Sequence, residues 1–385
     1  METQNDSILM AVAISIVSSP GRRDLWREMR ATEPGELYAR IAAGEPPAVQ
    51  AHVARQYAGT PLEAAKRIRE MAERRDVRIV SMWDDSYPSL LREIYRPPLV
   101  LYVRGDPAFD RMIAIVGTRA ADAGSASIAR LISTELTAAG LCVVSGMAVG
   151  IDREAHMGAL LQGRRTVGVL ANGIDIRYPR RNADIYQAII GTPGCGLVSE
   201  YPPGIIADRW TFVRRNRIIS GLSHGVVVVK AGDKSGALIT AGYAVEQNRE
   251  VFACPGGSFN PDYAGCHRLI RNGAHLVSDT RDILAELGPV AGDLRTAPAA
   301  SCVCALSADH AAAKADEATG RCDDTASLSD VERVVVGLVT SGSWEIDTLI
   351  RSSGFATDRV TEALIMLEMA GYIARDGTRI RLLQK

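Results

Sequence analysis

The sequence predicts an α/β protein: an extended Rossmann-like, doubly wound sheet with an N-terminal all-α module and a C-terminal winged-helix domain. Three observations predict it. Between residues 112 and 277, short Val- and Ile-rich runs alternate with helical segments, the pattern of a parallel sheet covered on both faces. Before residue 76 only helical periodicity is present. After residue 329, three helical stretches are followed by two short strands.

Residues 1–78 form the N-terminal helical module, of SAM or helix-hairpin-helix type. Leu37, Ile41 and Ala42, then Leu62, Ala65, Ile68 and Met71, recur at helical spacing, and Ser19-Pro20-Gly21 is a turn. The apolar run 8–17 is too short to span a bilayer, and the residues before it include Glu2 and Asp6 with no Lys or Arg, the wrong sign for a signal peptide. It reads as a buried helix, and no membrane association is expected.

Residues 79–288 form the core. Its first part, 83–105, is Pro-rich and extended, with a strand at 99–103 that adds to the sheet edge. The strands that follow are expected at 113–116, 141–145, 166–170, 196–199, 226–230, 251–254 and 275–277. Helices fit between them at 125–139, 152–162, 183–190, 215–222, 237–248 and 265–272. Right-handed crossovers place the ligand side at the carboxyl ends of these strands.

Residues 289–328 read as a flexible linker rich in Ala, Asp, Ser and Thr. Its Cys302, Cys304, His310 and Cys322 match no common zinc spacing, so no metal is expected. In residues 329–385, Ser329 and Glu332 have capping-box spacing, further helices are expected at 345–351 and 357–369, and Asp376-Gly377 turns a hairpin. The third helix carries Arg359 but also Asp358, Glu362 and Glu368. Phosphate contact needs positive charge, so this domain reads as a protein-interaction module.

The net charge is −1, so any nucleic-acid site must be a local patch. The seven Cys are an odd number without a disulfide framework, which points to a reducing cytoplasm.

The site residues lie in the turns after the strands. Val116-Gly117-Thr118-Arg119 precedes a helix: Gly117 allows close backbone approach to an anion, and Arg119 offers a charged fork. The spacing fits neither GxGxxG nor a P-loop. Ser145-Gly146 opens a second turn that ends at Asp152, four residues before His156, an arrangement open to helix capping or to an acid–base pair. Asn172-Gly173 begins a third, which holds Arg177, Tyr178, Arg180 and Arg181. Residues 209–217 contain Arg209, Trp210, Phe212, Arg214, Arg215, Asn216 and Arg217. Arginines interleaved with aromatics supply charge for phosphates and flat faces for unpaired bases. Lys234-Ser235 sits at the mouth of the fifth turn. Several anion-competent turns on one edge fit a polyphosphate chain better than one dinucleotide. No nucleophile–base set or carboxylate pair stands out, so catalysis and cofactors are not expected.

The chain resembles the DNA-processing protein A (DprA/Smf) family. The resemblance rests on Tyr87-Pro88 with Pro97-Pro98, Val116 to Arg119, Ser145 to Asp152, Gly173 to Asp175 with Tyr178-Pro179 and Asn182, Phe212 to Leu222, Lys234 to Thr240, and Pro255-Gly256. It implies a core that binds single-stranded DNA without strong sequence preference, forms a homodimer and delivers RecA onto the strand during natural transformation. By motif match the pocket would comprise Arg119, Arg209, Phe212 and Lys234, with the Gly146 and Gly173 turns as its floor. The competing reading is a nucleotide-binding enzyme, a phosphoribohydrolase of the lysine-decarboxylase-like Rossmann group. Pro255-Gly256-Gly257-Ser258-Phe259 lacks the second half of the PGGxGT motif that such an enzyme requires.

Overall fold

The computed structural model describes residues 2–17, 32–42, 60–288, 330–339, 344–355, 373–376 and 379–382, with Val360, Leu364 and Leu367 as single positions. The chain divides into two compact units, Met1–Pro298 and Ala299–Lys385.

In the first unit, helices α1 (Glu2–Val17), α2 (Pro34–Ala42) and α3 (Pro61–Glu73) precede the sheet. The apolar run is indeed a buried helix: Leu9, Val12 and Ile16 of α1 share one core with Ile68 of α3 and Leu101 of the sheet. Thr60 and Glu63 form a reciprocal capping box that starts α3. Strand β1 (Arg78–Ser81) follows, then the short helix α4 (Ser89–Glu93) and β2 (Val100–Gly105). The expected edge addition at 99–103 is β2, antiparallel to a later strand. The outermost strand, β1, pairs antiparallel with β2 and lies in a segment that the sequence did not mark.

The Rossmann-like part then runs β3 (Met112–Val116), α5 (Ala123–Ala138), β4 (Cys142–Ser145), α6 (Ile151–Leu160), β5 (Thr166–Leu170), α7 (Ala183–Gly191) and β6 (Gly196–Ser199). It continues α8 (Arg209–Gly221), β7 (Gly225–Val228), α9 (Ala237–Glu246), β8 (Glu250–Ala253), α10 (Ala264–Arg271), β9 (His275–Leu276) and α11 (Thr280–Leu287). The nine strands are ordered β1-β2-β6-β5-β4-β3-β7-β8-β9, and all pairs from β6 to β9 are parallel. Side chains alternate between the two faces of a strand. Ile113, Ile115, Val143, Val227 and Phe252 therefore pack with α5, α6 and α11. Their neighbours Ala114, Val116, Val144, Val226, Val228 and Ala253 pack with α8 and α9. Both faces are covered, which is why these strands read as continuous apolar runs.

One helix departs from expectation. Where the sequence marked 215–222, α8 begins at Arg209. Asp208 caps it by accepting from Thr211 N at 2.7 Å, and Thr211 Oγ1 accepts from Asp208 N at 2.9 Å.

In the second unit, α12 (Asp330–Val339), β10 (Trp344–Glu345), α13 (Ile346–Ser353), β11 (Ile373–Asp376) and β12 (Arg379–Leu382) enclose a small core. It comprises Val335, Val339, Leu349, Val360, Leu364, Leu367, Ile373 and Ile380. The sheet order is β10-β12-β11, a winged-helix layout. The linker 289–328 with its cysteines, the Ser19 turn, and most of the acidic third helix lie outside the described residues.

Candidate nucleic-acid interface

Strand order reverses direction at β3, which has β4 on one side and β7 on the other. In doubly wound sheets, the crevice beyond the carboxyl ends at such a switch point is where ligands bind. The turns after β3 and β7 are joined there, with Thr118 N donating to Lys230 O at 2.8 Å.

Lys230 was not singled out in the sequence, yet it anchors this edge. It is 3% exposed, and its Nζ contacts Asp122 Oδ2 at 2.6 Å and Asp262 Oδ2 at 2.8 Å. The hydrogen bond from Lys230 holds the Asp122 carboxyl below the usual aspartate range, and the same bond raises Lys230 above the usual lysine range. Asp122 also caps α5, accepting from Ser125 N at 2.7 Å. A carboxylate therefore already occupies the helix start where the sequence placed a phosphate. At Gly117 a Cβ would meet the Ile151 side chain at 2.6 Å, so the bare backbone there also admits the start of α6.

Four further residues read as ligand-facing lie beneath the edge. Ser145 is fully buried and donates to Ile115 O at 2.7 Å. Gly173 is packed against the 202–204 turn, where a Cβ would meet Pro202 O at 2.7 Å. Arg215 is 4% exposed and donates from Nη1 to Gly146 O at 2.5 Å and also to Val169 O. Gly146 is bare because the Arg215 guanidinium occupies the space of a Cβ. These residues shape the floor from below. Asn216 reaches Gly236 O at 3.4 Å, and Ser235 Oγ accepts from Ala237 N at 3.3 Å at the start of α9.

The residues that face outward are Arg119, Arg177, Arg209 and Lys234, all exposed, with Arg214 half-buried. Phe212 is half-buried, with Arg119, Arg215 and Tyr178 around its ring. The Arg119 guanidinium lies 5.5 Å from its ring centroid, Arg215 lies 6.0 Å away, and the Tyr178 ring is 5.7 Å away at a tilt of 54°. Trp210, which could have been a core residue, is 64% exposed in the first turn of α8 beside Arg209. Its neighbour Ile206 is 75% exposed. The run 209–217 was read as offering aromatic faces, and the indole here is indeed wet.

The turns after β4 and β5 are tied together. The Asn182 amide donates to Met147 O at 2.8 Å and Ala148 O at 3.0 Å, and Met147 sits at φ +60, an uncommon conformation for a residue with a side chain. Asp152 does not pair with His156. It accepts from Gly146 N at 3.1 Å and Ala148 N at 3.3 Å, while His156 Nδ1 meets Thr166 Oγ1 at 2.7 Å. Burial pushes the Asp152 carboxyl up and the His156 imidazole down to about 3. Each is spent on structure, and among the described residues no cluster could hold a metal ion.

Fold and site define a Rossmann-type protein with a cationic, aromatic edge at its topological switch point. A family profile described as "DNA recombination-mediator protein A" matches residues 78–288, and one described as "DprA winged helix domain" matches residues 321–377. The "DNA processing protein DprA" of Bacillus subtilis is 43% identical over 204 residues, covering 52% of this chain and 68% of that protein. The "Protein Smf" of Synechocystis sp. is 34% identical over 308 residues, covering 76% and 77%. The X-ray structure of DNA processing protein A from Streptococcus pneumoniae aligns with TM-score 0.52 at 37% identity, covering 59% of this chain and 81% of that one. The chain belongs to the DNA recombination-mediator protein A (DprA/Smf) family.

Proposed function

We propose that this chain binds single-stranded DNA without strong sequence preference and loads RecA onto it, as a recombination mediator in DNA uptake. One observation carries the binding: an aromatic ring, Phe212, framed by Arg119 and Tyr178, with Arg209, Arg177 and Lys234 exposed on the same edge. Charge on the rim meets phosphates, and a ring face accepts any base.

The test is a titration of labelled oligo-dT, AMP and NAD over a salt series. Oligo-dT is expected to bind tightest, with affinity falling steeply as salt rises. A mononucleotide that binds tighter would overturn the reading and favour a nucleotide-acting enzyme. RecA loading is supported by family membership alone. A strand-exchange assay with RecA and a single-strand-binding protein checks it, and no gain over RecA alone would remove it.

Self-association through the core is supported by two apolar side chains on α9, Ile239 at 41% and Val245 at 65% exposure. Sedimentation of the full chain would show a dimer. A cytoplasmic location is supported by the four free cysteines among the described residues. No described helix is long and apolar enough to cross a membrane.

A further inference from the structure

Phe259 is 101% exposed, the most exposed large apolar side chain among the described residues. Burying a phenylalanine is worth about 1.5–3 kcal/mol, so a wholly wet ring invites a partner. The ring is also presented on a built turn. Asn260 N donates to Gly257 O at 2.9 Å, closing the turn under Phe259, and Tyr263 N donates to Asn260 O at 3.0 Å. Asn260 Oδ1 accepts from Asp262 N at 3.0 Å, and Asp262 is bound to Lys230 at 2.8 Å. The Tyr263 ring fills the space beside Gly256 that a Cβ would need.

The turn follows β8, at the same carboxyl edge as the site. β8 lies two strand positions from β3, the strand that carries Arg119, and β7, which carries Lys234, stands between them. With strands about 4.8 Å apart, the offset along the edge is about 10 Å. That is roughly three base steps at the 3.4 Å stacked spacing, and fewer if the strand is stretched. A strand with one base on Phe212 and its phosphates passing Arg119 and Lys234 would meet the Phe259 ring next.

We infer that Phe259 is a second base-stacking post, which extends the DNA path across the sheet edge from β3 to β8. The inference rests on the proposed single-strand binding. The local charge favours stacking over phosphate contact, because Lys230 is shared by Asp122 and Asp262, and Asp233 pairs with Arg268 at 3.0 Å.

The experiment measures affinities of F259A, F259L, F259W and R119A for an oligo-dT series from the dinucleotide, too short to span the offset, to about 16 nucleotides, at several salt concentrations, with sedimentation of each variant. F259A is expected to bind the shortest oligonucleotides like wild type and to lose about fivefold or more on the longer ones. Its log–log salt slope should match wild type, F259W should restore binding, and F259L should not. Wild-type affinity at every length in F259A would overturn the proposal. So would a shallower salt slope, which would mean phosphate contact, or a loss of self-association at unchanged affinity per protomer, which would make the ring a contact between copies of the chain. If wild type and R119A alike bind no oligonucleotide, the parent reading fails, a result distinct from a silent F259A.

Discussion

At the scale of single residues, the side chains divide into those that meet solvent and those that hold them. Arg119→Ala and Arg209→Ala are each expected to weaken oligo-dT binding and to make the salt slope shallower by about 0.7, the share of one phosphate contact on a single strand. Phe212→Ala should cost about 1–3 kcal/mol of binding with the slope unchanged. Trp210 is wet beside Arg209, so its fluorescence is expected to change on titration with oligo-dT, and W210F should abolish most of that signal. A different measurement addresses His156. Its folded-state pKa, held down by burial, is about 3, against an ordinary value of about 6.5. The unfolded chain therefore binds the extra proton first as pH falls. Stability from the neutral imidazole is complete above about pH 6.5 and is lost as pH falls toward 3, at up to about 1.4 kcal/mol per pH unit. Urea unfolding at a series of pH values should show this slope in wild type, and H156Q should lack it.

At the scale of elements, the strands were legible because burial on both faces writes an apolar run that no polar residue interrupts, as in Met112–Val116. β1 was not, because Arg78-Ile79-Val80-Ser81 is short, half exposed and continuous with a helical segment. The start of α8 was hidden because Trp210 and Phe212 break the apolar period: Trp210 is 64% exposed and Phe212 half-buried. Glycine carried a partial message. Gly117, Gly146 and Gly173 each mark a close approach, but the approaching groups are Ile151, Arg215 and Pro202, which only the fold brings near. Lys230 was invisible for a related reason. A lysine is exposed by default, and its partner Asp122 is 108 residues away. Arg215 was counted as a ligand residue because nothing in the run 209–217 distinguishes the two buried arginines, Arg215 and Arg217, from the others. Its truncation to Ala would leave Gly146 O and Val169 O without a donor. R215A should therefore lower unfolding stability by about 2–4 kcal/mol, measured by urea titration.

At the scale of the whole molecule, each unit has its own core, so a fragment ending at Pro298 should fold alone. All residues of the proposed DNA site lie within it. The fragment is expected to keep oligo-dT affinity within about threefold of the full chain and to show one cooperative unfolding transition. A large loss of affinity would move part of the site into the second unit.

Arg215 also has a consequence of a different kind. Its guanidinium is buried, lies 6.0 Å from the Phe212 ring, and keeps its proton at neutral pH although burial lowers its pKa to about 10. The edge thus has a buried guanidinium beneath it, offset in part by the nearby Asp152 carboxyl. Mobile ions screen such a source far less than they screen Arg119 or Arg209 at the surface. At rising ionic strength the rim attraction should fade and the field from below should persist, leaving a floor of affinity that a neutral isostere, R215M, would lower and R215K would preserve. The plateau of the binding curve at high salt would then record a charge that is spent on the protein's own carbonyls and reaches the strand only through its field.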